Sequence, residues 1–160
     1  MIGLYLPTDL IERAESLLAE LHRKTDADCV LLADTSGQLI AVHGQPVQGD
    51  TVVIAALGAG NLAAVLELGR QIGERNPHGA FLHEGKDRCI YLFDVSGSFV
   101  LIVVFQPSTP IGLVRLYAGV TCGYLGELIT EFEELMSTVS QIPSVEFGDA
   151  LSDELEKVFG

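Results

Sequence analysis

Three strand-like runs crowd the second half of the chain: AFLHE (residues 80–84), DRCIYLFDV (residues 87–95) and SFVLIVVF (residues 98–105). Gly85-Lys86-Asp87 joins the first to the second, and Ser96-Gly97-Ser98 joins the second to the third. Parallel neighbours need a crossover of a dozen or more residues, so connections this short make all three runs antiparallel. No other feature narrows the choice of fold as far.

Around them the periodicity changes. Leu10, Ala14, Leu17, Leu18 and Leu21 recur at helical spacing after Pro7-Thr8-Asp9, with Asp9 and Glu12 set as in a capping box. DCVLLADTSGQLIAVHG (residues 28–44) reads as two strands about a Thr35-Ser36-Gly37 turn. Asp50 or Thr51 can cap a second helix running to about Gly73, and a long last helix is expected over residues 111–139. Gly112, Gly119 and Gly123 weaken its early part, which an extended segment would also suit. The order α-β-β-α-β-β-β-α predicts an α+β domain, a five-stranded antiparallel sheet flanked by helices, over residues 8–139. Residues 140–160 form an acidic tail. Within it, residues 149–159 carry the helical apolar stripe Leu151, Leu155, Val158 and Phe159, so the expectation is a short helix that touches a partner or a solubilising extension.

The second helix raises the question of chemistry. TVVIAALGAGNLAA (residues 51–64) contains Gly58-Ala59-Gly60 and Ala63 at the spacing of a dinucleotide-binding turn, with Glu84 near the distance of a ribose-binding acid. Such a turn belongs between a parallel strand and a helix in a βαβ unit, whereas hairpins follow here. Read as one helix, Ile54, Gly58, Leu62, Val65, Gly69 and Ile72 line a sheet-facing side. The other side then carries Val52, Val53, Ala56, Ala59, Gly60 and Ala63, with Glu67 beyond. A helix apolar all round is covered all round. One sheet covers one side, so the second side predicts contact with another protein surface, or else with a helix of the same domain.

Composition excludes several classes. A net charge of −13 repels nucleic acid and anionic membrane surfaces and favours a basic protein partner. Mean hydropathy is +0.37, yet no apolar stretch is expected to approach the roughly 20 residues of a membrane span, and residues 99–105 have strand length. The first residues show no secretory pattern, so a cytoplasmic location is expected. Cys29, Cys89 and Cys122 include no C-x-x-C pair, and Cys29 and Cys89 read as core fillers. His78, His83, Glu84 and Cys89 do not form a metal-ligand pattern, and no nucleophile-and-base arrangement or phosphate-binding Gly-Lys-Ser/Thr occurs. Neither enzyme activity nor a cofactor is expected.

Taken in order, DCVLLADTSGQLIA (residues 28–41), IAALGAGNLAA (residues 54–64), HEGKDRCIYLFDV (residues 83–95) and FVLIVVFQPSTPIGLVRLY (residues 99–117) resemble the Roadblock/LC7 family. The resemblance covers about residues 8–136. It implies a non-enzymatic dimer of a family that binds small Ras-like GTPases or cytoskeletal motor complexes, here with a small Ras-like GTPase as the expected partner and a role as regulator, activator or scaffold. It also implies that the second helix and third strand make the dimer, which adds Phe81 and His83 to Val52, Val53, Ala56, Ala59, Gly60, Ala63 and Glu67 as interface residues. Bacterial members reshape the GTPase without inserting an arginine, which makes Arg70, Arg75, Arg88 and Arg115 surface or structural charges. The acidic tail departs from the core family, and some bacterial members touch the GTPase with such an extension. A ligand-sensing module of PAS, GAF or profilin-like type shares the element order and is the alternative; it predicts a closed apolar pocket.

Overall fold

The structure, a computed structural model, describes residues 6–75, 79–140 and 156. Its elements are α1 (Thr8–Thr25), β1 (Cys29–Asp34), β2 (Leu39–Gly44), α2 (Thr51–Gln71), β3 (Ala80–Glu84), β4 (Cys89–Val95), β5 (Phe99–Phe105) and α3 (Ile111–Ser140). The five strands form one sheet in the order β2-β1-β5-β4-β3, antiparallel throughout. This is the expected α+β architecture. The inner strands β1 and β5 pair with Leu31 opposite Ile102 and Val30 opposite Val103. Both are buried almost end to end, so their aliphatic runs show no polar alternation: each face of the sheet is covered.

Cys29, Leu31, Leu92, Val100, Ile102 and Val104 face α2 and meet its Ala59 and Leu62. The alternate residues Val30, Leu32, Tyr91, Phe93, Leu101, Val103 and Phe105 are buried on the opposite face. There Arg115 of α3 donates to the Tyr91 hydroxyl at 2.9 Å, His22 of α1 meets His43 of β2 edge-on, and Lys24 lies over the Tyr117 ring. Leu18 and Leu21 of α1 and Val114, Ala118 and Leu125 of α3 are among the buried side chains of those two helices. Cys29 and Cys89 are fully buried fillers, as their apolar neighbours suggested.

Helix ends depart from the sequence reading in two places. No side chain caps α1; the Leu10 and Ile11 amides donate to the Pro7 carbonyl, and Asp26 closes the other end in the left-handed conformation. α3 is helical from Ile111 onward, so Gly112, Gly119 and Gly123 do not delay it. The 21 residues of α2 are long and apolar enough to cross a membrane by length and composition, which corrects the expectation that no apolar stretch reaches that length: glycines and Asn61 interrupt the run without making it polar. In the fold its Ala55-Ala59-Leu62 side lies on the sheet.

The chain divides into two compact units, Met1–Leu128 and Ile129–Gly160. The sheet, α1, α2 and α3 as far as Leu128 belong to the first. Of the acidic tail only residues 140 and 156 are described; Leu151, Leu155 and Phe159 lie outside the described residues, as does His78.

Candidate functional site

Asp50 caps α2 as expected, its carboxylate accepting from the Val52 amide at 2.8 Å. From there the helix runs across the sheet with Gly58 set against Ile102. A Cβ placed on Gly58 would stand 2.6 Å from Ile102 Cδ1. The β1–β2 turn closes on the helix from one side: a Cβ on Gly37, whose φ is +93°, would meet the Ala56 Cα at 3.0 Å. Asp34 holds that turn, its Oδ1 accepting from the Ser36 amide, the Ser36 hydroxyl and the Gln38 amide. Mid-helix, then, Gly58 and its alanine neighbours are a packing device, and no strand-to-helix phosphate turn exists there.

The outward side of α2 is apolar for its first four turns apart from Asn61. Val52, Val53, Ala56, Gly60 and Ala63 are exposed there as the sequence reading places them, and a Cβ on Gly60 would meet nothing within 4 Å. Ala59 is a correction. It is 3% exposed and packs into the core cluster, while Ile72, expected on the sheet side, is 76% exposed. The inner stripe runs through Ala55, Ala59 and Leu62, so the outer stripe is turned by roughly 60° from the expected one. The rotation brings Leu57 (68% exposed), Asn61 and Leu68 into the outer surface, residues the sequence reading does not assign to it. A helix with apolar residues on every side has no polar face to fix its phase, so its sequence carries no signal that sets Leu57 outside and Ala59 inside. Glu67 begins the polar end, accepting from Arg70 at 2.9 Å and from Gln71 at 3.0 Å.

β3 is an edge strand, paired on one side to β4. Its Phe81 and His83 line a groove of about 340 Å³ with Ile54, Leu57, Gly58, Asn61 and Ile90. The structure thus brings two expected residues of β3 beside α2, in one apolar groove at the edge of the sheet. On the opposite flank of α2 lies a more polar hollow of about 400 Å³, where Thr35, Ala63, Arg70, Asp94 and Gly97 meet.

Three arginines are held by neighbouring side chains. Arg88 lies 2.6 Å from Asp28, Arg70 is held by Glu67, and Arg115 is held by Tyr91. Burial pushes the Cys29 thiol up to about 11 and the Cys122 thiol up to about 12, which keeps both protonated and unreactive near neutrality. Among the described residues no three His, Cys, Asp or Glu side chains converge.

The Roadblock/LC7 domain family matches residues 13–105. The structure of MglB from Myxococcus xanthus is 32% identical, with a TM-score of 0.74 over 79% of this chain and 95% of that one. The gliding protein MglB from Thermus thermophilus is 29% identical, with a TM-score of 0.72 over 79% of this chain and 95% of that one. An MglB described with a tetrameric arrangement is 28% identical, with a TM-score of 0.73 over 79% of this chain and 94% of that one. Profilin IA of Acanthamoeba castellanii, 11% identical at a TM-score of 0.51, shares the fold alone. No curated protein sequence matches the chain.

Proposed function

The chain belongs to the Roadblock/LC7 family, and from that premise we propose that it is a non-enzymatic homodimer that binds and regulates a small Ras-like GTPase. One observation carries the reading: the outer face of α2 (Val53, Leu57, Gly60) runs without a break into the groove lined by Phe81 and His83 of edge strand β3. A two-fold axis beside β3 would pair that strand with its own copy and merge two five-stranded sheets, which removes an open edge. The same operation sets the two α2 helices side by side, and their remaining small and aliphatic residues form a platform for the GTPase. Small residues matter because they let a second backbone approach closely. The tail bearing Leu151, Leu155 and Phe159 is proposed as an auxiliary contact to the same partner.

The test uses the full chain and the Ras-like GTPase of its source organism. Val53→Glu and Gly60→Arg sit on an exposed helix face and should leave the fold intact by circular dichroism. Each is expected to lower the dimer fraction and to weaken GTPase binding at least tenfold, with the wild type preferring either the GTP or the GDP form. Variants that stay dimeric and bind unchanged would put the interface elsewhere. Equal affinity for both nucleotide states would leave a scaffold and remove regulation.

A further inference from the structure

The face of the sheet opposite α2 carries a second exposed apolar surface that the proposed dimer leaves open. On α3, Leu116 is 60% exposed, Val120 50% and Tyr124 53%, a ridge at i, i+4, i+8 on one side of the helix. Gly112 continues that line by one turn and Gly119 and Gly123 flank it, and a Cβ on any of the three would meet nothing within 4 Å, so low positions open to solvent adjoin the large side chains. Between residues 111 and 126 the only charge is Arg115, whose side chain is bonded to Tyr91. We propose that this face is a second homotypic interface, on which α3 of one copy packs antiparallel against α3 of another, joining two dimers into four copies.

Three considerations select a second copy of this chain as occupant. The first is charge. Two copies each of net charge −13 repel, so they can associate only where acids are absent, and interface cores are depleted of charge generally. Residues 111–126 are such a stretch in a chain that has 22 acidic residues. With the two-fold axis at the turn of Ala118 and Gly119, the Glu127 side chains fall about 27 Å apart along the helices, well beyond a Debye length of about 8 Å. The second is self-complementarity, which an isologous contact requires. In that register Tyr124 of one copy lies over Gly112 of the other and Leu116 lies over Val120, so the largest side chain of the ridge meets a glycine at both ends. The third is that an MglB 28% identical to this chain is described with a tetrameric arrangement. A closed two-fold through α2 and β3 is saturated at two copies, so a four-copy assembly needs a surface of another kind. The α3 contact spans only about 18 Å of helix. It lies at the small end of specific interfaces, so the assembly is weak and concentration-dependent.

The count of four rests on the α2–β3 dimer; the α3 contact does not. Sedimentation of the full chain between about 1 and 500 μM separates them. The wild type is expected to rise from two copies to four, and more readily at high salt, where repulsion between the acidic chains is screened. Val120→Glu, and Gly119→Leu, which adds bulk beside the ridge without adding charge, are expected to weaken the second step at least tenfold with an unchanged circular dichroism spectrum. A wild type that reaches two copies and falls to one in Val120→Glu upholds the α3 contact and removes the α2–β3 dimer. A wild type held at two copies in both proteins overturns the proposal, as does a four-copy mass that Val120→Glu leaves intact.

Discussion

Gly58 and Ile102 stand so close that a single methyl group on the glycine would fall 2.6 Å from the isoleucine Cδ1 and 3.2 Å from its Cγ1. This contact seats α2 on the centre of the sheet and thereby decides which residues are left facing outward. Alanine normally stabilises a helix interior by about 0.5–1 kcal/mol over glycine. Overpacking a filled core costs about 1–3 kcal/mol, and Ile102 is fully buried, so its Cδ1 must turn toward the groove it lines with Phe81 to make room. Gly58→Ala is therefore expected to destabilise by about 1 kcal/mol, read as a lower urea midpoint. An unchanged or higher midpoint would mean that Ile102 re-packs freely.

The turn that abuts the same helix tolerates less. Gly37 combines a φ of +93° with a Cβ position 3.0 Å from the Ala56 Cα, backbone that cannot rotate away. Gly37→Ala is expected to cost about 2–3 kcal/mol. Asp34→Ala removes three hydrogen bonds from the turn and should cost about 1–2 kcal/mol, since the site is partly open to water. Thermal melts that rank these two the other way would refute the packing account of Gly37.

At the other end of the sheet, Arg88 Nε and Asp28 Oδ2 are 2.6 Å apart, joining the segment before β4 to the residue before β1. The Asp28 side chain is 10% exposed and that of Arg88 38%, so water screens one partner and hardly reaches the other. Breaking a fully buried pair costs about 3–5 kcal/mol. With Arg88 part-exposed, Arg88→Ala should cost about 1–3 kcal/mol, and Asp28→Asn introduced alongside it should recover part of the loss. Additive losses in that double-mutant cycle would show that the two side chains are not coupled.

The thiols make stability depend on pH from the alkaline side. Burial raises Cys29 from 9.0 to about 11 and Cys122 from 9.0 to about 12, by disfavouring the thiolate. The folded state thus holds protons that the unfolded state releases, so this contribution is complete below about pH 9 and is lost as pH rises toward 11–12. At pH 8 the native thiolate fraction of Cys29 is on the order of one in a thousand. Both cysteines should react with an alkylating reagent at least tenfold faster in urea than in buffer. Equal rates would place the thiols at the surface.

Much of this architecture could be read without coordinates. The short joints at residues 85–87 and 96–98 leave no topology but hairpins, the apolar runs of β1 and β5 require cover on both faces, and Asp50 announces the start of α2. These are local properties, set by chain geometry and by hydrogen bonds between near neighbours. The rotation of α2 is of a different kind. Ala59 and Leu57 are both apolar residues in an apolar helix, and periodicity offers no reason to bury one and expose the other. Their fates follow from where Gly58 meets Ile102 and where Gly37 meets Ala56, contacts between residues 44 and 19 positions apart. Likewise, that β3 lies at the edge and brings Phe81 and His83 beside α2 follows from the strand order, which pairs β1 with β5 across the whole intervening chain. The residues alone therefore determined the elements, their order and the surplus of apolar surface. Tertiary packing decided which of that surface remains on the outside, because helix phase and strand order are settled by distant contacts that leave no periodic mark in the sequence.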